Sequence, residues 1–346
     1  MSERWISDLT DQGARFADGR VADFGDAAAE CAAADAGPVI CDLSHDGLIL
    51  ASGEDAAAFL HAQFSNDVLS LEEGRAQWNG WCSPKGRLLV TFLMWNGRQG
   101  YFLQLPRVLQ PAIQKRLQMF VLRSRVTLSD AGSQWMRFGI AGPGAAALLG
   151  QVLGTVPELP LSTLHVQGGR LIRVSADRFE FIAAADDAIP LWHALALKAR
   201  RVGAPVWDLL AIREGMLTIL PVTQDAFVPQ MANFELVGGV SFKKGCYPGQ
   251  EIVARTQYRG ILKRRLARVQ IANPGAAKIG DPLFAAEFGE QTAGILASLA
   301  PAPGGGAEAL VVAQIESLKA NSLRIGSPDG MPVSVLNLPY AVPEFG

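Results

Sequence analysis

Phe138-Gly139-Ile140-Ala141-Gly142-Pro143-Gly144-Ala145-Ala146-Ala147-Leu148-Leu149-Gly150 parallels, residue for residue, Ile49-Leu50-Ala51-Ser52-Gly53-Glu54-Asp55-Ala56-Ala57-Ala58-Phe59-Leu60-His61. Gly142 matches Gly53, Ala145–Ala147 match Ala56–Ala58, and Leu148-Leu149 match Phe59-Leu60. Each copy reads as an apolar strand, a glycine turn and a helix opened by alanines, the residue that favours helix most. Repetition of the whole unit implies a duplicated strand–helix module. The glycines do not make a dinucleotide fingerprint, which needs a third glycine at position 147, where this chain has Ala147.

Working outward, the Ala-rich stretch around 27–34 predicts a helix ending near Gly37-Pro38. Val39–Ser52 predicts one extended segment, and Asp55 is placed to cap the helix that follows. Strand signals recur at 77–82, 87–95 and 101–105, with helices over 108–120 and 207–216, and a strand with a helix around 170–199. A Pro- and Gln-marked loop runs over 221–239. Beyond Gly260 the pattern turns all-β, with short strands at 266–271, 282–286, 292–299, 309–315 and 332–336 between Pro/Gly turns. This is an α+β chain ending in a small barrel or sandwich. The expected domains are 1–130, 131–259 with the cysteine loop discussed next, and 260–346.

Within the second of these, Lys243-Lys244-Gly245-Cys246-Tyr247-Pro248-Gly249-Gln250-Glu251 sets one thiol in a glycine-flanked turn beside two ammonium groups. Nearby positive charge and partial exposure make a thiol reactive, whereas a structural cysteine sits among apolar neighbours. From Lys243 to Arg268 the cations are Lys243, Lys244, Arg255, Arg259, Lys263, Arg264, Arg265 and Arg268, with Glu251 as the acid between them. An anion is the expected visitor. The plainer alternative makes these charges the solvated side of a strand and turn, with Cys246 filling a tight bend.

The body around this segment is close to neutral. The chain has 346 residues, a formal charge of −2, 49% hydrophobic and 18% charged residues, so nothing draws it as a whole to nucleic acid or membrane. Cys31, Cys41, Cys82 and Cys246 have neither metal-ligand spacing nor the density of a disulfide framework. No bound metal is expected, and the cysteine usage fits a reducing, cytoplasmic compartment. The acidic opening segment and the lack of a long apolar run predict neither a signal peptide nor a membrane span.

The block Phe227-Val228-Pro229-Gln230-Met231-Ala232-Asn233-Phe234, then Gly238–Phe242, Lys243–Glu251, Val253-Ala254-Arg255 and Tyr258-Arg259-Gly260 resembles the signature of the YgfZ family. Weaker likeness covers Gln63, Asn66-Asp67-Val68, Gly74, Lys85-Gly86 and Leu338-Pro339-Tyr340. These are folate-binding relatives of the glycine-cleavage T-protein, an aminomethyltransferase, implicated in iron–sulfur cluster maintenance and tRNA modification. The resemblance implies two interleaved α+β domains, a C-terminal antiparallel β-barrel and a tetrahydrofolate ligand. A folate needs an aromatic wall, polar groups for its pterin edge and cations for its carboxylates. Trp207, Phe227 and Tyr247 are the candidates for the wall, Gln250 and Glu251 for polar contacts, and Lys244, Arg255 and Arg259 for the cations.

The leading expectation is a folate-binding accessory protein of iron–sulfur cluster assembly or repair, not a classical enzyme. Cys246 would act on sulfur, iron or a damaged cluster in client proteins, with Lys244 tuning it. The alternative is a folate-dependent one-carbon transferase. T-proteins carry a catalytic aspartate soon after the glycine matching Gly86, and Arg87-Leu88-Leu89-Val90-Thr91 has no carboxylate. Their pterin-binding Arg-x-Glu-x-Gly is here Ala211-Ile212-Arg213-Glu214-Gly215. A cysteine hydrolase would require one of His45, His61, His165 or His193 as base. Direct tRNA binding has only Lys263-Arg264-Arg265 to suggest it.

Overall fold

A computed structural model describes residues 3–260 and 262–343, with the side chain of Arg259 outside the described set. The chain divides into two compact units, one built from 1–56, 71–77 and 93–207, the other from 57–70, 78–92 and 208–346.

The first unit holds a six-stranded sheet in the order Thr163–Val166, Gly169–Arg173, Arg178–Ala183, Met136–Ala141, Val39–Asp42, Arg200–Val202. Its pairings are antiparallel except the last, Val39–Asp42 with Arg200–Val202. Helices Ala145–Leu153 and Ala185–Ala196 contribute Leu148, Leu149, Leu191, Trp192 and Leu195 to a core shared with Phe138, Ile140, Phe179 and Phe181. Trp5, from the helix Glu3–Asp11, packs edge-on to Trp192 and donates its indole N–H to Asp42 at 2.6 Å. Its ring is buried without stranding its polar atom, so the transfer gain of about 2 kcal/mol is kept.

Both copies of the repeated module take the same form. Asp46–Ser52 leads through Gly53 (φ 116°) to the helix Ala56–Gln63, and Met136–Ala141 through Gly142 (φ 91°) to Ala145–Leu153. A Cβ on Gly142 would stand 2.6 Å from the Gly37 carbonyl oxygen, and one on Gly53 would collide with the carbonyl of Arg125. The glycines are therefore fixed by both backbone angle and close packing.

Val39–Ser52 is two strands rather than one. Leu43–His45 turns the chain, with Asp46 N bonded to the Leu43 carbonyl, and the halves join different sheets. The second sheet has the order Ala76–Cys82, Leu88–Gly97, Gly100–Pro106, Asp46–Ser52, Thr127–Asp130.

In the second unit, residues from Arg264 onward form an antiparallel seven-stranded sheet, nearly closed into a barrel. Its order is Met331–Pro332, Arg324–Ile325, Pro282–Phe284, Gly294–Pro301, Ala307–Gln314, Arg264–Ile271, Ser334–Leu336. Val269, Ile271, Leu283, Leu296, Val311 and Ile325 fill its interior, the inward half of each strand's alternation. The helix Ile315–Ala320 follows the long strand Ala307–Gln314. No helix among the described residues is long and apolar enough to cross a membrane.

Candidate functional site

The loop around Cys246 is held from three directions, all within the second unit. Lys244 is 7% exposed, and its ammonium donates to the carbonyl oxygens of His61 and, at 2.5 Å, Phe64. These carbonyls end the helix Ala56–Gln63, where intrahelical donors run out and the dipole favours a cation. Burial brings Lys244 down to about 8, against the opposing pull of Asp67 and Cys246. The same ammonium lies 4.9 Å from the centre of the Tyr247 ring. Tyr247 is itself buried, which raises its phenol pKa, with Cys82 adding to the effect.

The second hold is backbone against backbone. Gly249 (φ 79°) initiates the helix Gln250–Arg259, and a Cβ there would lie 2.6 Å from the Cα of Gly86 and collide with the Ser83 carbonyl. Gly86 (φ 68°) closes the turn Ser83–Gly86, whose amide bonds the Ser83 carbonyl at 2.8 Å. Ser83 Oγ donates to Asp225 Oδ1 at 2.6 Å, Arg87 Nη1 to the Ala226 carbonyl at 2.6 Å, and Leu88 N to the Phe227 carbonyl at 2.8 Å. Cys82 is buried beside this turn, and burial together with Asp225 pushes its thiol up to about 12.

The third hold is the segment Pro229–Ala232, a short 3₁₀ turn ended by Asn233 in left-handed conformation. The wholly buried Gln230 donates to the Val253 carbonyl of the Gln250–Arg259 helix at 2.8 Å. Arg265, 3% exposed, bonds the Gln230 carbonyl, Asn233 Oδ1 and Glu235 Oε1 at 2.7, 3.0 and 2.7 Å. Burial holds the Glu235 carboxyl above its ordinary range despite Arg265.

On this frame Cys246 is exposed, while Cys31, Cys41 and Cys82 are buried. Lys243, Glu251 and Arg255 are exposed, Gln250 is half-buried, and Phe227 is buried. The Arg259 side chain lies outside the described residues. Trp207 belongs to the first unit, where it is buried against Gly139 with the Arg178 guanidinium 5.1 Å from its ring centre.

Three of the eight cations expected around Cys246 are engaged by other groups, while Lys243 and Arg255 are exposed. Lys244 caps a helix, Arg265 pairs with Glu235, and Arg268 shares Glu308 with Arg213 at 2.7 and 3.0 Å. Arg213, at the position of the T-protein pterin-binding carboxylate, is thus part of an ion-pair network, and of Lys263-Arg264-Arg265 the last is buried in its pair with Glu235 while Lys263 is exposed.

Two residues gather here that the sequence does not link to the cysteine loop: His61, one of four candidate bases, and Asp67, part of the weaker likeness. His61 Nδ1 lies 3.1 Å from Asp67 Oδ1, and a Cβ on Gly245 would stand 3.8 Å from His61 Nε2. The imidazole therefore borders the peptide that carries Cys246. Burial and Lys244 lower its pKa, with Asp67 opposing. The signal was the pair Asn66-Asp67 in the resemblance. Among the described residues, no group of three or more His, Cys, Asp or Glu side chains is placed to hold a metal.

A fold of paired α+β sheets with a terminal barrel, and a cysteine loop at a helix start, define a class that comparison with known proteins identifies. The family model of the GCVT N-terminal domain matches residues 11–214. The chain is 31% identical over 311 residues to the tRNA-modifying protein YgfZ of Photobacterium profundum, covering 88% of this chain and 92% of that one. It is 29% identical over 301 residues to the protein of the same name from Sodalis glossinidius, covering 86% and 91%. Its fold is that of glycine cleavage system aminomethyltransferase T from Bartonella henselae, with a TM-score of 0.81 and 18% identity over 98% of this chain and 97% of the other. The chain belongs to the YgfZ family of GCVT-domain proteins.

Proposed function

We propose that this chain is a folate-linked accessory protein of iron–sulfur cluster assembly or repair, serving tRNA modification, with Cys246 as its working group. The observation that carries the reading is the exposed thiol on an immobilised loop. Lys244, Tyr247 and Gly249 on either side are fixed by a helix end, a buried ring contact and a backbone packing contact. A group held this way meets a partner without first ordering its own loop. The name shared by the two relatives supports the link to tRNA modification.

The ligand we infer is tetrahydrofolate or a derivative, from the GCVT-type fold. For its tail, Lys244 being engaged at a helix end, exposed Arg255 would be the carboxylate-binding cation, on the same helix as Gln250 and Glu251. When bound, the folate would supply one-carbon or redox chemistry. A one-carbon transferase is disfavoured, because the strand after Gly86 presents Leu88, Leu89, Val90 and Thr91, and Thr91 Oγ1 is bonded to the Leu217 carbonyl at 3.1 Å.

Calorimetric titration of the purified chain with tetrahydrofolate tests the ligand. Saturable binding that weakens about tenfold in Arg255→Ala is expected, the cost of one charge-assisted contact. Absence of binding contradicts the folate assignment.

A further inference from the structure

A second set of binding groups lies wholly inside the first unit, in a cavity of about 400 Å³ between the hairpin tips at 97–100 and 166–169. One side is aromatic. Trp95 and Phe102 are cross-strand partners stacked at 5.5 Å with 9° between their planes, and Trp135 stands edge-on to Phe102 at 5.9 Å.

The other side is cationic. Arg98 is exposed at the lip, and Arg170 is buried beneath it. Arg170 Nη1 donates to Thr163 Oγ1 at 2.7 Å, and its Nη2 lies 2.8 Å from His165 Nε2. Guanidinium nitrogens only donate, so His165 Nε2 is the acceptor and its ring is neutral. Burial, Arg170 and Arg98 all lower the His165 pKa, which keeps it so. Glu73 acts on Arg170 and His165 from nearby and offsets part of the charge. The Asp187 carboxylate also lies against Gly168 of the lining, so the attraction for an anion rests on the placement of Arg98 and Arg170 and not on net charge.

We propose that this cavity binds a small flat aromatic ligand bearing an anionic group, with its ring on Trp95, Phe102 and Trp135 and its anion on Arg98 and Arg170. Aromatic surface holds a ring face by stacking, and the guanidinium fork matches the paired oxygens of a carboxylate or phosphate. His165, locked as an acceptor toward Arg170, fixes that guanidinium against the cavity wall and adds no charge of its own. A cationic ligand meets two like charges and is refused. Nothing in the site requires Cys246 or a folate, so it stands apart from the function proposed above.

The anion could be the phosphate of a nucleotide or the carboxylate of an aromatic acid. Calorimetric titration of the full chain with adenosine 5′-monophosphate and, separately, 4-aminobenzoate distinguishes them. Saturable binding of either probe is expected, about tenfold weaker in both Arg98→Ala and Trp135→Leu. Arg98→Ala removes an exposed side chain, so its melting temperature should match the parent even if Trp135→Leu is less stable. A nucleotide response assigns the phosphate form, and an aminobenzoate response the carboxylate form. No saturable heat from either probe up to about 10 mM, or binding that Arg98→Ala leaves unchanged, overturns the proposal.

Discussion

Gly249 and Gly86 meet backbone to backbone, so close that a Cβ on Gly249 would come within 2.6 Å of the Gly86 Cα. This contact joins the start of the Gln250–Arg259 helix to the turn following the strand Ala76–Cys82, and both glycines have positive φ. Gly249→Ala is therefore expected to cost about 2 kcal/mol or more, from the left-handed angle and the collision together. Urea unfolding measures it. A change under about 0.5 kcal/mol, the range of an ordinary surface substitution, would show that the contact is not needed.

Lys244 is a helix cap before it is anything else. Replacing it with methionine keeps much of its volume but leaves the His61 and Phe64 carbonyls without their donor. The expected loss is about 1–3 kcal/mol, with the loop at Cys246 becoming more open to protease. Unchanged stability and protease resistance would remove the capping role.

Much of the fold was legible because its determinants are local. The repeated strand–glycine–helix modules carry their glycines and alanines at matching positions, and the barrel strands announce themselves by apolar runs between Pro/Gly turns. The helix Gln250–Arg259 was not foreseen, because it starts from Gly249 in left-handed conformation with no Ser, Thr, Asp or Asn cap, and its charged residues read as a solvated run. The turn dividing Val39–Ser52 did leave a side-chain mark, since Asp42 accepts from the Ser44 amide at 3.2 Å and the Ser44 hydroxyl at 2.5 Å, but the apolar residues on both sides of Asp42-Leu43-Ser44 read as one continuous run. In the site, the exposure of Cys246 followed from its glycine-flanked setting. The fate of Lys244 did not, since its partners are carbonyls some 180 positions upstream.

Arg265 and Glu235 form an ion pair with both side chains almost fully buried. Removing one partner strands the other, so Arg265→Met is expected to destabilise the chain by about 3–5 kcal/mol. The double variant with Glu235→Leu should recover most of that loss. A double-mutant cycle on unfolding free energy reads the difference, and single and double variants of equal stability would contradict the pairing argument.

In the first unit, Glu180 accepts a 2.7 Å hydrogen bond from Gln104, and burial with the nearby Asp46 pushes its carboxyl up to about 7. The folded chain then holds this proton at pH values where the unfolded chain has released it. The stability Glu180 contributes is full below about pH 4.5 and is lost as pH rises through 7, a loss of about 3 kcal/mol for a shift of this size. Glu180→Gln, which mimics the protonated acid, should flatten that part of the stability–pH curve. A slope between pH 5 and 7 identical to the parent's would show that Glu180 ionises normally.

The role of Cys246 is tested most directly by the activity of iron–sulfur-dependent tRNA-modifying enzymes in cells where Cys246→Ser replaces the parent chain at equal abundance. Because the thiol is exposed and the loop is held by its neighbours, the variant should melt at the parent temperature, and the account predicts enzyme activity reduced to that of cells lacking the chain. Full activity with the serine in place would contradict it.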